Sequence, residues 1–133
     1  MATEVRRRFE PTPEAVREAR RFFRNAVADQ LDGPMNDDLA LALSELATNA
    51  ARHARTPFEV VVHTDGHVKI EVEDRSDRRP ERRSAAADAE GGRGLLILDA
   101  VCDRWGVHVV EDRKCVWCER SLTEVGRPQR ELG

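Results

Sequence analysis

The chain has 133 residues, with 22 Lys+Arg against 25 Asp+Glu and a formal net charge of -3 at pH 7. That length suits one domain with a single core. The charge argues against a globally cationic nucleic-acid binder, because affinity for a polyanion comes largely from phosphate neutralisation. No run of about 18 uninterrupted apolar residues exists, so no membrane span is expected.

In chain order, the first eight residues have no apolar core behind their arginines, so a signal peptide is not expected and a cytoplasmic location is. Residues 4–9 read as a short edge strand with Val5 and Phe9 on one side. Thr12 is the expected cap of a first helix, with Pro13 at its first position, where a missing N–H costs nothing. Ala15, Val16, Ala19, Phe22, Phe23, Ala26 and Val27 supply its apolar face, and Arg17, Arg20, Arg21 and Arg24 its outer one. Gly33-Pro34 reads as a break, and Asn36 as the cap of a second helix, with Asp37 and Asp38 near its positive end. Leu39, Ala40, Ala42, Leu43, Leu46, Ala47 and Ala50 recur along that helix, which stops before Pro57.

Phe58 to His63 is a β-rich run, and Asp65-Gly66 is a turn pair. Val68, Ile70 and Val72 then alternate with Lys69, Glu71 and Glu73. One side of this sheet should be solvated and the other covered by helices. Residues 75–91 are polar and Arg-rich, and read as a loop. Gly91-Gly92-Arg93-Gly94 leads into a third helix through Leu95, Leu96, Leu98 and Val101. Trp105 to Val110 and Cys115 to Ser121 read as a final hairpin around Asp112-Arg113. Helices and an antiparallel sheet are largely segregated, which indicates a two-layer α+β sandwich. One domain is expected over residues 1–122, with a polar tail over 123–133.

Three cysteines fit a reducing compartment. Cys115 and Cys118 have the spacing of a redox or zinc pair. In a strand, however, residues three apart point to opposite faces, so these thiols should diverge and act as small hydrophobes.

Glu45, Asn49 and His53 stand four residues apart on the second helix. Each step rotates the side chain by about 40°, so they form one slowly turning stripe. A hydrated magnesium ion and a phosphate chain would meet such polar groups; a solvated helix edge is the plainer alternative. Asp74 ends the alternating strand and points toward the helices, where it could accept a structural hydrogen bond or one from an exocyclic amine. Gly91 to Leu95 is a glycine-rich turn opening a helix, a shape that lets backbone amides approach an anion, and Arg93 could add a charge-assisted contact. Arg75, Arg78, Arg79, Arg82 and Arg83 make a basic patch, either a solvated loop or a cover over phosphates or a partner.

In combination these motifs resemble the GHKL ATP-binding superfamily, and within it the bacterial anti-sigma-factor serine/threonine kinases and their short actinobacterial-type relatives. The matching stretches are SELATNAARHA at Ser44 to Ala54, VEDRSDRRP at Val72 to Pro80, GGRGLLILDAVCDRWGV at Gly91 to Val107 and KCVW at Lys114 to Trp117. The resemblance implies a mixed, mostly antiparallel sheet with helices on one face, and ATP and Mg2+ as cofactors. It implies Asn49 as the magnesium ligand, Glu45 as general base, and Asp74 as acceptor of the adenine amine. Ser76, Gly92, Arg93, Gly94 and Leu95 would line the nucleotide, and His53 takes the family's helix-end position. These roles fit phosphoryl transfer, which needs in-line positioning and charge neutralisation. The implied partners are a sigma factor and a STAS-type anti-sigma antagonist phosphorylated on serine, with a homodimer as the implied assembly. No direct nucleic-acid contact is expected, although the Arg-rich loop would be where one formed.

Two departures stand out. The superfamily's Asp-x-Gly-x-Gly box is Asp74-Arg75-Ser76-Asp77-Arg78 here, and its Gly-Lys-Thr is Arg113-Lys114-Cys115. They support an alternative: a non-catalytic module of the same fold with weak or no ATP binding that acts by sequestration.

Overall fold

A computed structural model describes residues 2–54, 56–75 and 96–122, with the side chains of His53, Ala54 and Val110 excepted. The expected loop over 76–91, the glycine turn through Leu95 and the tail over 123–133 lie outside the described residues, as does Ser76.

Strand β1 (Thr3–Phe9) precedes helices α1 (Pro13–Ala26) and α2 (Gly33–Asn49). A π-helical turn over Ala50–Ala54 follows, then β2 (Phe58–Thr64) and β3 (His67–Asp74). A helical segment over 96–101 leads to β4 (Arg104–Val110) and β5 (Arg113–Ser121). The five strands form one sheet in the order β1-β2-β3-β5-β4, antiparallel at each pairing. With its helices on one face, this is the expected two-layer α+β sandwich.

The start of α1 follows from its sequence. Thr12 is extended, and its Oγ1 accepts from the Ala15 amide at 3.1 Å, with Pro13 just inside. Ala15, Ala19, Phe23 and Val27 are buried along one side. Not all of its arginines face outward. Arg20 donates to Ser44 Oγ at 3.1 Å, and Arg24 donates to Asn36 Oδ1 at 3.1 Å and Asp37 at 2.7 Å. Long stems on a flank can reach a neighbouring helix: Arg20 turns in to a buried hydroxyl, while Arg24 keeps its pair with Asp37 at the surface.

Helix α2 also begins earlier than expected. Asp32, not Asn36, is the cap: its carboxylate accepts from the Met35 amide at 2.9 Å, and Gly33-Pro34 belongs to the first turn instead of breaking the chain. Proline in a first turn lacks only an N–H that would have no helical partner.

The core is the space between α1, α2 and the inner sheet face. Phe9 stacks on Phe58 at 5.6 Å and meets Phe22 edge-on at 6.0 Å. Val68, Ile70, Val72 and Asp74 are the buried side of β3. The β2–β3 turn holds Gly66 at φ 75, a conformation that glycine adopts without steric cost. In the second hairpin Val110 pairs with Arg113, so the turn residues are Glu111 and Asp112, one position before those expected, and Glu111 takes φ 57. Two-residue hairpin turns favour positive φ because their twist matches that of the strands.

The outer face carries cross-strand ion pairs, with Arg6–Glu59 at 2.7 Å and His63 within 3.2 Å of both Glu4 and Glu71. Among the described residues no helix is long and apolar enough to cross a membrane.

Candidate functional site

Glu45 and Asn49 lie on the last turns of α2, both partly exposed, while Leu43, Leu46, Ala47 and Ala50 between and after them are buried. Small and aliphatic residues hold this helix against the sheet, leaving the polar pair one turn apart on its flank, about 6 Å along the axis. The α-helical winding ends at Asn49, and His53 falls in the π-helical turn. That turn is wound with i→i+5 bonds instead of i→i+4. The His53 side chain lies outside the described residues.

Asp74 is the last residue of β3 and is 3% exposed. Its cross-strand partners are Phe58 on β2 and Lys114 on β5, so it sits on the helix side as alternation requires. β3 packs against both α2 and the π-helical turn, which brings the strand carrying Asp74 onto the helix carrying Asn49.

Asp74 borders a cleft of about 280 Å³ at the open end of the sheet. Thr56, Pro57, Phe58, Arg75, Arg8 and Arg113 are among its other walls. Glu45 and Asn49 do not line it, so the described residues do not gather the expected site into one cavity. Thr56 Oγ1 is buried there with no hydrogen-bond partner among the described residues. A buried hydroxyl in that condition marks a place where a ligand or water would be met. Sequence reasoning passed over Thr56; the available signal was a hydroxyl residue placed before Pro57 at the mouth of a strand that pairs with Asp74.

The glycine turn residues Gly92, Arg93, Gly94 and Leu95, with Ser76, lie outside the described residues. Among the described residues no group of three His, Cys, Asp or Glu side chains could hold a metal.

The cysteines are free thiols. Cys118 faces the core, whereas Cys115 is on the other face opposite Glu73, as strand geometry demands. Burial, then Glu71 and Glu73, push the Cys115 thiol up to about 12, which keeps it protonated at neutral pH. Cys115, at the position of the threonine in the Gly-Lys-Thr pattern, faces away from Asp74.

The topology and these side chains define the class of protein: an ATPase-type two-layer sandwich. A family model for the histidine kinase-like ATPase domain matches residues 9–119, and the chain belongs to that family. An uncharacterized protein of Streptomyces coelicolor is 34% identical over 80 residues, which is 59% of this chain and 76% of that one. The RsbU and RsbW domains of a Mycobacterium tuberculosis protein superpose with a TM-score of 0.70 at 19% identity. That match covers 90% of this chain but 32% of the mycobacterial one, so the chain spans about a third of it. At that identity the likeness is one of fold.

Proposed function

We infer that this chain binds Mg-ATP and acts as an anti-sigma-type regulator, holding a sigma factor and phosphorylating a STAS-type antagonist on serine. One observation carries the reading: Glu45 and Asn49 stand partly exposed one turn apart on a helix packed against the strand that ends in the buried Asp74. Asp74 accepts a hydrogen bond from the purine amine, with Thr56 Oγ1 as a second polar contact in the same cleft. Asn49 offers its carboxamide oxygen to the magnesium ion, which when bound neutralises the charge of the phosphates. Glu45 would take the serine hydroxyl proton as its oxygen bonds to the γ-phosphorus and the bond to the β-phosphate oxygen breaks, with ADP as the leaving group. Ser76, Gly92, Arg93, Gly94 and Leu95 complete the nucleotide site in this reading, and His53 closes the helix end. The protein works in the cytoplasm, as a homodimer.

Calorimetry with ATP and magnesium tests the binding claim. Micromolar affinity that falls by about a hundredfold in Asn49→Ala is expected. Label transfer from ATP to the antagonist, lost in Glu45→Ala, tests the kinase step.

A second reading has one specific observation behind it. Arg75 follows Asp74 in the altered box and lines the same cleft. A sequestering module that binds nucleotide weakly or not at all would retain sigma-factor binding in both Glu45→Ala and Asn49→Ala.

A further inference from the structure

Arg120 is a buried cation that the nucleotide-site reading does not use. It lies on β5 with 8% exposure and pairs across the sheet with Val68, whose side chain faces the helices. Its guanidinium donates from Nη1 to the carbonyl of Val101 at 3.2 Å, and the same nitrogen is 3.6 Å from Asp38 Oδ2. Its Nε is buried with no hydrogen-bond partner among the described residues. Val101 is the last residue of the helical segment over 96–101, where a cation suits the negative end of the helix. Asp38 belongs to α2, the helix that carries Glu45 and Asn49.

The residues beside Arg120 hold the chain just after that segment. The Glu119 backbone carbonyl accepts from the Asp103 amide at 2.8 Å, and the Ser121 amide donates to Asp103 Oδ2 at 2.8 Å. Arg120 thus holds Val101 at the end of the 96–101 segment and reaches α2, while its neighbours Glu119 and Ser121 hold Asp103, two residues further on.

We propose that Arg120 is a positioning residue for nucleotide binding: its buried guanidinium clasps the end of the 96–101 helix to Asp38 and so fixes that helix relative to Asn49. This rests on the nucleotide reading above. Fixed spacing matters because a phosphate chain bound between two helices tolerates little misplacement. The effect falls on the phosphate end of the ligand and not on the purine, which Asp74 holds on β3.

The test uses Arg120→Met, Arg120→Lys and Asp38→Asn in the full chain. Methionine fills the same space without a charge, and Asp38 is exposed enough to remain hydrated, so the fold should persist. Amide hydrogen exchange without nucleotide should quicken at residues 97–102 in Arg120→Met, on the order of tenfold, and remain unchanged in β2 and β3. Mg-ATP affinity should fall on the order of tenfold while adenosine affinity changes less than about twofold. Lysine should restore part of both losses. The Asp38→Asn change should weaken ATP in the native chain but add nothing in the Arg120→Met background.

Unchanged exchange at 97–102 overturns the clasp. Equal losses for ATP and adenosine overturn the positioning role in favour of general destabilisation. A native chain that binds no ATP overturns the nucleotide reading and the positioning role with it, while the exchange rates still report whether the clasp exists.

Discussion

Arg20 reaches from α1 to the buried hydroxyl of Ser44 at 3.1 Å, one residue before Glu45. The same hydroxyl donates to the Ala40 carbonyl at 2.9 Å, so Ser44 is satisfied on both sides and the two helices are pinned beside the polar stripe. Removing Arg20 leaves Ser44 bonded to its own helix, and the loss should be that of one charge-assisted hydrogen bond. Arg20→Met is expected to cost about 1–2 kcal/mol, a fall in melting temperature of roughly 3–6 °C. Arg21→Met, on the exposed side, should change stability by less than about 0.5 kcal/mol. Thermal unfolding followed by circular dichroism checks this; equal losses in the two variants would refute the pin.

Gly106 lies against the Trp117 indole so closely that an added Cβ would sit 3.0 Å from the ring. Trp117 is also held by His108, stacked at 6.1 Å, and by Lys69 over its face at 5.0 Å. Gly106→Ala must displace that ring, at an expected cost of about 1–3 kcal/mol with a shift in tryptophan emission. Trp117→Leu should relieve most of the cost of the alanine, which a double-mutant cycle measures. Additive losses would show that the close approach is not the cause.

The two candidate caps of α2 make different predictions. Asp32→Ala removes the acceptor of the Met35 amide and should cost about 1 kcal/mol. Asn36→Ala removes an acceptor that Arg24 can exchange for Asp37, so its cost should be under about 0.5 kcal/mol. Chemical denaturation of both variants decides between them; the reverse ranking would reinstate Asn36 as the cap.

Cys115 gives a prediction in pH. Its thiol is raised from an ordinary 9.0 to about 12, chiefly by burial and then by Glu71 and Glu73. Between those values the unfolded chain has lost the proton that the folded chain retains, so stability falls as pH rises from about 9 to about 12. Cys115→Ala should flatten part of that decline. At pH 8 its thiolate should be on the order of a thousandfold scarcer than in an ordinary thiol, and alkylation correspondingly slow. Rapid labelling of native Cys115, located by mass spectrometry, would contradict the geometry.

Local chemistry made much of this chain legible. Thr12 and Pro13 start α1 because a side-chain acceptor and a fixed φ act within one turn, and the β2–β3 register follows from side-chain alternation about Asp65-Gly66. The divergence of Cys115 and Cys118 needed no more than strand geometry. The acid at Asp74 could be placed at a strand end facing the helices for the same reason.

What only the tertiary structure decided depends on which groups meet across elements. Asp32 and Asn36 are both competent caps in isolation, and Arg24 draws Asn36 into another contact. Arg20 reads as outer-face charge and is in fact an internal tie, as is Arg120, because their partners Ser44 and Val101 lie on other elements. The π-helical winding of Ala50–Ala54 likewise has no local signature in its sequence. Period and capping are short-range effects written in neighbouring residues, whereas a buried charge acquires its partner only when the sheet brings distant segments together.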